Sequence, residues 1–351
     1  MGYEFPVDVE AVWRERGPQF VNLGIPRREV DHLAGVVDDM WADRPGGWCF
    51  EWSALADRYA RAGRPEPAAK AYGAARFPCL ADEARVTAHQ HQIEQYELAA
   101  PGFPVTLERR WVTTHLRGRV VEVPVHVLAE TDAPADTPVL MATGGIDTGK
   151  VDLHPMWVSY VRGAHVRVVA CDIPGTGELT HVSLRRETTE ILDGVVTFAR
   201  TLTTGKVGQL GLSFGGWFSA HAGLTRIVDA AVVVGGPVSQ AFSSEHARAL
   251  LYGMQDIFGN ATGFTAVPTT EQVVEVAASF AIDDLLAGRA NCPMLVINGD
   301  EDVHVPLADT TVFDGRPDTD VHLVRGGTHC AFNKLDELIA DTTTWVAAAL
   351  H

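Results

Sequence analysis

Between residues 29 and 99 apolar side chains return every three or four positions, whereas from residue 107 onward they gather into short unbroken runs. The first spacing is that of helices with one buried face, and the second is that of strands buried on both faces. Val30, Leu33, Val36 and Val37 share one helical face, and Trp48, Trp52, Leu55 and Tyr59 continue the stripe. Leu55, Ala56 and Tyr59, then Ala68, Ala69, Tyr72 and Ala75, predict two helices joined at Gly63-Arg64-Pro65. A lone hairpin of this kind must pack on something else. Pro101-Gly102-Phe103-Pro104 then ends the helical region.

The runs 107–113 and 119–128 flank Arg117-Gly118 and predict an antiparallel hairpin. The runs 138–142, 166–171, 207–212, 230–234, 293–298 and 321–324 alternate with helical or looped stretches. Near-continuous apolar strands alternating with helices imply an α/β fold whose mostly parallel, eight-stranded sheet is covered on both faces. The rhythm pauses between residues 235 and 289, with helical periodicity around 271–286, which predicts a helical cap inserted at about 236–289, after the sixth strand. The expected organisation is an N-terminal helical region over 1–104 that contributes to the lid, and a catalytic domain over 105–351.

The fifth run ends in Gly211-Leu212-Ser213-Phe214-Gly215, a G-x-S-x-G sequence at a change from strand to helix. Such a turn is tight enough to exclude a Cβ on either side of the serine, and it holds the hydroxyl exposed in strained backbone, as the nucleophile elbow of an α/β-hydrolase does. A serine hydroxyl needs an imidazole to take its proton, and the imidazole needs a carboxylate to fix its tautomer. In this fold those partners follow the serine in the order acid, then histidine. After the seventh run come Gly299, Asp300, Glu301 and Asp302, followed by Val305-Pro306, and the G-x-x-D-x-x-V-P spacing selects Asp302. Asp300 and Glu301 read as solvated turn acids. After the eighth run, Gly326-Gly327-Thr328-His329 supplies a loop able to fold back, which makes His329 the base. Cys330 beside it reads as a small buried residue.

Negative charge develops on the substrate oxygen during attack, so backbone N–H groups must face it. One belongs to Phe214, and the second to Gly145 or Ile146 in the loop Thr143-Gly-Gly-Ile-Asp147. Asp147 and Lys150 on that loop either shape the pocket or pair with each other. Asp172-Ile-Pro-Gly-Thr-Gly contains G-x-G without the third glycine of a dinucleotide loop, and reads as a structural loop. In the cap, Glu245 or His246 is a candidate extra acid, with an exposed helix start as the alternative. Trp217, Phe242, Tyr252, Phe258 and Phe280 are candidate walls of an apolar cleft, or simply core.

Composition narrows the partners. A net charge of −17 argues against nucleic acid and against an anionic membrane surface, leaving small or neutral molecules as partners, and the aromatic residues of the candidate cleft make an apolar substrate the expectation. The N-terminal residues lack an apolar export segment, and no run reaches the length of a membrane span. Five scattered cysteines without a C-x-x-C point to a reducing cytoplasm, with neither a disulfide framework nor a metal site, and no cofactor is called for.

The N-terminal helices with Trp48, Trp52 and Tyr59, the Gly144-Gly145-Ile146-Asp147 loop, the Asp172-x-Pro-Gly-x-Gly turn and the series Ser213, Asp302, His329 together resemble the FrsA-like esterase group of α/β-hydrolases. That group includes the 2,6-dihydroxypseudooxynicotine hydrolase and polyketide-shortening pigment hydrolases. The resemblance implies a serine hydrolase, often a homodimer, that cleaves an ester or a carbon–carbon bond next to a ketone. Acyl transfer or cyclisation from the same acyl-enzyme is a second expectation, and a non-catalytic receptor on the same fold a third.

Overall fold

The computed structural model describes residues 2–351. Among them, five α-helices precede the first strand: α1 (Val9–Asn22), α2 (Arg27–Ala34), α3 (Trp48–Arg61), α4 (Pro65–Ala75) and α5 (Glu83–Ala99). The α3/α4 hairpin turns at Gly63, whose φ of 66° is in the left-handed region that glycine tolerates. Helix α1 begins before the segment whose periodicity predicts helix. Its buried positions are Val12, Arg16 and Gly17, so a cation and a glycine stand where an apolar stripe would otherwise announce it. Asp8 caps it by accepting from the Ala11 N–H at 3.0 Å. Aromatic packing holds it down: the Trp13 ring lies 4.5 Å from Trp48 and 5.9 Å from Trp52, and Phe20 lies 5.3 Å from Trp52.

The remaining chain runs β1 (Thr106–Leu116), β2 (Arg119–Ala129), β3 (Val139–Thr143), α6 (His154–Gly163), β4 (Arg167–Cys171), α7 (Thr189–Thr201), β5 (Val207–Leu212), α8 (Phe214–Thr225) and β6 (Ala230–Val234). Next come α9 (Ser244–Ala249), α10 (Met254–Ala261), α11 (Thr270–Ala278), α12 (Asp283–Leu286), β7 (Met294–Gly299), α13 (Leu307–Thr311), β8 (Thr319–Val324) and α14 (Leu335–Leu350). The strands form one sheet in the order β1-β2-β4-β3-β5-β6-β7-β8. β1 and β2 pair antiparallel, as do β2 and β4, and the rest are parallel. This is the α/β-hydrolase fold that the strand pattern predicts. Arg117 and Gly118 join β1 to β2 with φ of 50° and 77°, the positive pair that a two-residue hairpin turn requires.

Successive residues of the parallel strands feed opposite layers. Met141 packs into the core beneath α7 and α8, while Leu140 and Ala142 pack into the core beneath α6 and α14. Burial on both faces explains the unbroken apolar runs. Between β6 and β7 the chain carries α9 to α12. The single periodicity of 271–286 resolves into α11 and α12 because Phe280 and Ile282 turn fully inward, with Ile282 N–H donating to the Val238 carbonyl at 2.9 Å. The start of this helical segment is held by Asp309, whose carboxylate accepts from the amides of Val238 at 2.6 Å, Ser239 at 2.9 Å and Gln240 at 2.7 Å. Among the described residues no helix is long and apolar enough to cross a membrane.

Candidate active site

The buried strand β5 delivers Ser213 into a turn with φ 53° and ψ −125°, conformational strain worth about 1–3 kcal/mol for a residue with a Cβ. Backbone bonds lock the turn: Ser213 N–H donates to the Val234 carbonyl and Gly216 N–H to the Ser213 carbonyl, each at 2.8 Å. A Cβ on Gly211 would overlap the carbonyl of Gly215, and one on Gly215 would overlap the carbonyl of Gly144. The two glycines of the motif are therefore steric requirements.

His329 Nε2 lies 2.9 Å from Ser213 Oγ, and its Nδ1 lies 2.7 Å from Asp302 Oδ2. A carboxylate at Nδ1 keeps the proton there and leaves Nε2 to accept from the serine hydroxyl. The loop reaches back through Cys330 and Ala331, which have φ of 55° and 52°. Asp302 accepts further from Asn298 Nδ2 at 2.8 Å, from His304 N–H at 2.7 Å and from Val305 N–H at 3.1 Å. Burial works to raise its pKa, but the charge of His329 and these donors outweigh burial and pull it down to about 2. On His329, burial opposes the charged form; the neighbouring Cys330 sulfur and the Asp302 carboxylate act the other way and hold its pKa well above the ordinary imidazole value. Cys330 is buried, with its sulfur 3.4 Å from the Val234 carbonyl.

Asn298, the penultimate residue of β7, escapes motif reading because it is one polar residue in an apolar run. It is fully buried, donates to Asp302, and accepts from Gly299 N–H at 2.9 Å and Cys330 N–H at 3.0 Å. One amide thus ties the acid loop to the histidine loop.

Phe214 opens α8, so its N–H is among those a helix start leaves without an intrahelical acceptor. The opposite wall is the 144–147 loop. A Cβ on Gly145 would sit 2.9 Å from the Cβ of Ser213, so glycine permits the close approach, and Ile146 lines the cleft beside the serine. That cleft, about 610 Å³, is walled by Ile146, Phe214, Phe242, Met254 and Phe258 and opens onto Ser213 and His329.

The other predicted pocket residues divide between the cleft, the core and the surface. Trp217 is fully buried away from the cleft, its indole N–H donating to the Phe280 carbonyl at 2.7 Å, and Phe280 is itself core. Glu245 is exposed in the first turn of α9, beside the Ser243 cap, and does not reach the cleft. His246 does line it, with Nε2 2.7 Å from the His304 carbonyl. Tyr252 stands in a neighbouring cavity. Asp147 does not pair with Lys150. Its partner is Arg16 of α1 at 2.7 Å, while Lys150 is buried against Asp172 at 2.6 Å and Glu178 at 2.7 Å. Asp172 therefore gives its turn a structural ion pair.

Sequence reading also misses Glu15 and His304. Glu15 Oε1 meets His304 Nε2, and the His304 ring packs edge-on to His329 with centroids 5.2 Å apart. Burial works to raise the Glu15 pKa, but the His304 hydrogen bond and the Arg16 charge outweigh it and lower it.

A family model described as esterase FrsA-like matches residues 28–350. The esterase FrsA of Photobacterium profundum is 25% identical over 245 residues, which cover 59% of this chain and 56% of that protein, so the match spans little more than half of the relative's length. An esterase FrsA of Vibrio cholerae serotype O1 is 24% identical over 300 residues, covering 77% of this chain and 70% of the relative. Among solved structures, the 2,6-dihydroxy-pseudo-oxynicotine hydrolase superposes with a TM-score of 0.75 at 19% identity, covering 95% of each chain. Wild-type AbyA5 superposes with a TM-score of 0.76 at 21% identity, covering 97% of this chain and 98% of the other. These two likenesses are of fold.

Proposed function

This chain belongs to the FrsA-like esterase family, and on that premise we propose that it is a serine hydrolase that cleaves a carbonyl substrate with an apolar acyl portion. The supporting observation is the hydrogen-bonded series Ser213, His329, Asp302 at the mouth of an apolar cleft. Ser213 Oγ attacks the carbonyl carbon while His329 Nε2 takes its proton, and Asp302 stabilises the imidazolium. The oxyanion is held by the N–H of Phe214 and that of Gly145 or Ile146; one such donor is worth about 2.7–4 kcal/mol in the transition state. On collapse His329 returns the proton to the leaving atom. The acyl-enzyme is then hydrolysed by water, which His329 deprotonates in turn. In this reading residues 1–104 contribute to the lid, 105–351 form the catalytic domain, and 236–289 form the cap.

A carbon–carbon substrate, a β-dicarbonyl, is the second reading. Its leaving enolate calls for an acid beside the base, and His246 is the cap residue in a position to serve, with its ring on the cleft wall. The test is to treat wild type and Ser213→Ala with a fluorophosphonate, a series of activated esters and a β-diketone, following intact mass and products. Wild type should label once and turn over substrate, and the variant should do neither. A wild-type protein that neither labels nor acylates overturns the proposal.

A further inference from the structure

His329 borders two cavities. The apolar cleft reaches Ser213 and Phe214. The second cavity, about 990 Å³, reaches His329 and His304 without touching Ser213, and α1 forms one wall of it. Its lining is mixed: Pro18, Tyr252 and Val303 stand beside Arg14, Gln19 and Glu301, where the first cleft presents Phe214, Phe242 and Phe258. Helix α1 lies ahead of the segment matched by the family model, which begins at residue 28.

We propose that this second cavity is the leaving-group subsite, and that it takes a neutral polar or cationic leaving group in preference to an anionic one. The assignment rests on reading Ser213 as nucleophile and His329 as base. During acylation the carbonyl oxygen lies against the N–H of Phe214, and an apolar acyl chain takes the cleft walled by Phe214, Phe242 and Phe258. The atom that departs must receive its proton from His329 Nε2, so the rest of the leaving group extends past the imidazole, into the cavity that His329 shares with α1. The bond from carbonyl carbon to leaving atom breaks, its electron pair stays on the leaving atom, and the proton first taken from Ser213 completes the alcohol. Gln19 Oε1 accepts from Arg16 and Asn22 Nδ2 donates to the Phe332 carbonyl, which leaves Gln19 Nε2 and Asn22 Oδ1 to meet hydroxyls. Glu301 faces the exposed Arg14 across the cavity, and Glu15, bonded to His304 and beside Arg16, keeps a negative excess because Arg16 is already paired with Asp147; that excess disfavours an anion there, and the net charge of −17 adds to the bias.

The experiment holds a hexanoyl group constant and varies the alcohol: pentanol, diethylene glycol, choline and glycolate esters, with kcat/KM as the readout because it reports acylation. Wild type should favour the diethylene glycol and choline esters over the glycolate ester by on the order of tenfold. Glu301 is exposed and its side chain holds no structural bond, so Glu301→Lys should fold normally. It should narrow or reverse the choline-to-glycolate preference while the ranking of acyl chains from acetyl to octanoyl stays fixed. Met254→Ala, in the first cleft, should do the opposite. Turnover with no dependence on the alcohol's charge, or a Glu301→Lys effect confined to acyl-chain ranking, overturns the subsite and leaves the hydrolase reading standing. No turnover of any ester, together with no fluorophosphonate labelling of Ser213, overturns both.

Discussion

Glu15 and His304 are 289 residues apart in sequence, yet Oε1 of the first meets Nε2 of the second at 2.5 Å. The contact joins helix α1 to the loop whose backbone holds Asp302, since the N–H of His304 donates to that carboxylate. Replacing Glu15 with alanine leaves a buried imidazole without its partner, a loss of about 1–3 kcal/mol. Glu15→Ala is therefore expected to lower stability by that amount in a denaturant titration, and to lower kcat by several-fold by loosening the acid loop. Glu15→Gln, which keeps an acceptor, should recover most of the stability. Wild-type behaviour in both variants would show the contact to be without consequence.

The pH profile follows from the direction of two shifts. The proposed base works unprotonated, and the His329 pKa is held well above its ordinary 6.5. The fraction of free imidazole therefore grows only as pH climbs past that raised value, and kcat/KM should rise through an inflection above 6.5. Asp302, at about 2, stays ionised throughout and contributes no second limb near neutrality. Asp302→Asn removes the carboxylate that favours the charged ring, so its small residual activity should have an inflection at lower pH. Initial rates between pH 5 and 10 decide this.

Gly215→Ala puts a methyl group into the carbonyl of Gly144. Neither backbone can retreat, because one belongs to the helix start and the other to the tight 144–147 loop. The variant is expected to lose more than about 3 kcal/mol or fail to accumulate in folded form, whereas Gly63→Ala, which meets no atom within 4 Å, should lose only about 1 kcal/mol from its positive φ. Thermal unfolding of the pair separates crowding from conformational strain.

Asn298→Ala deletes one donor to Asp302 and the acceptor for two amides. Leaving such groups buried and unpaired costs about 1–3 kcal/mol per group. The expected signature is a kcat loss of about tenfold or more with little change in KM, because the residue lies behind Asp302 and outside both cavities. A KM effect alone would contradict the positioning role.

The strands, and the loops that bring Ser213, Asp302 and His329 together, are legible in the sequence because each is fixed by a local rule: burial on both faces makes apolar runs, and the turn at Ser213 admits only glycine at 211 and 215. The contributions of α1 are not, because the charged Arg16 shares its inward face with Val12, Trp13 and Phe20 and breaks the apolar stripe. Arg16 goes inward to meet Asp147, a partner more than a hundred residues away, and no periodicity encodes such a pairing. The same limit explains Trp217 and Glu245. Both lie on helices near the cleft, but helical phase, which depends on where each helix docks, turns one into the core and the other to solvent.

The aromatic seat of α1 has an optical consequence. Trp13, Trp48 and Trp52 lie mutually within 6.1 Å, close enough for their excited states to couple. Release of the helix would uncouple Trp13 from the other two, so near-ultraviolet circular dichroism would report, without any added label, whether the wall of the second cavity is in place while substrate is being consumed.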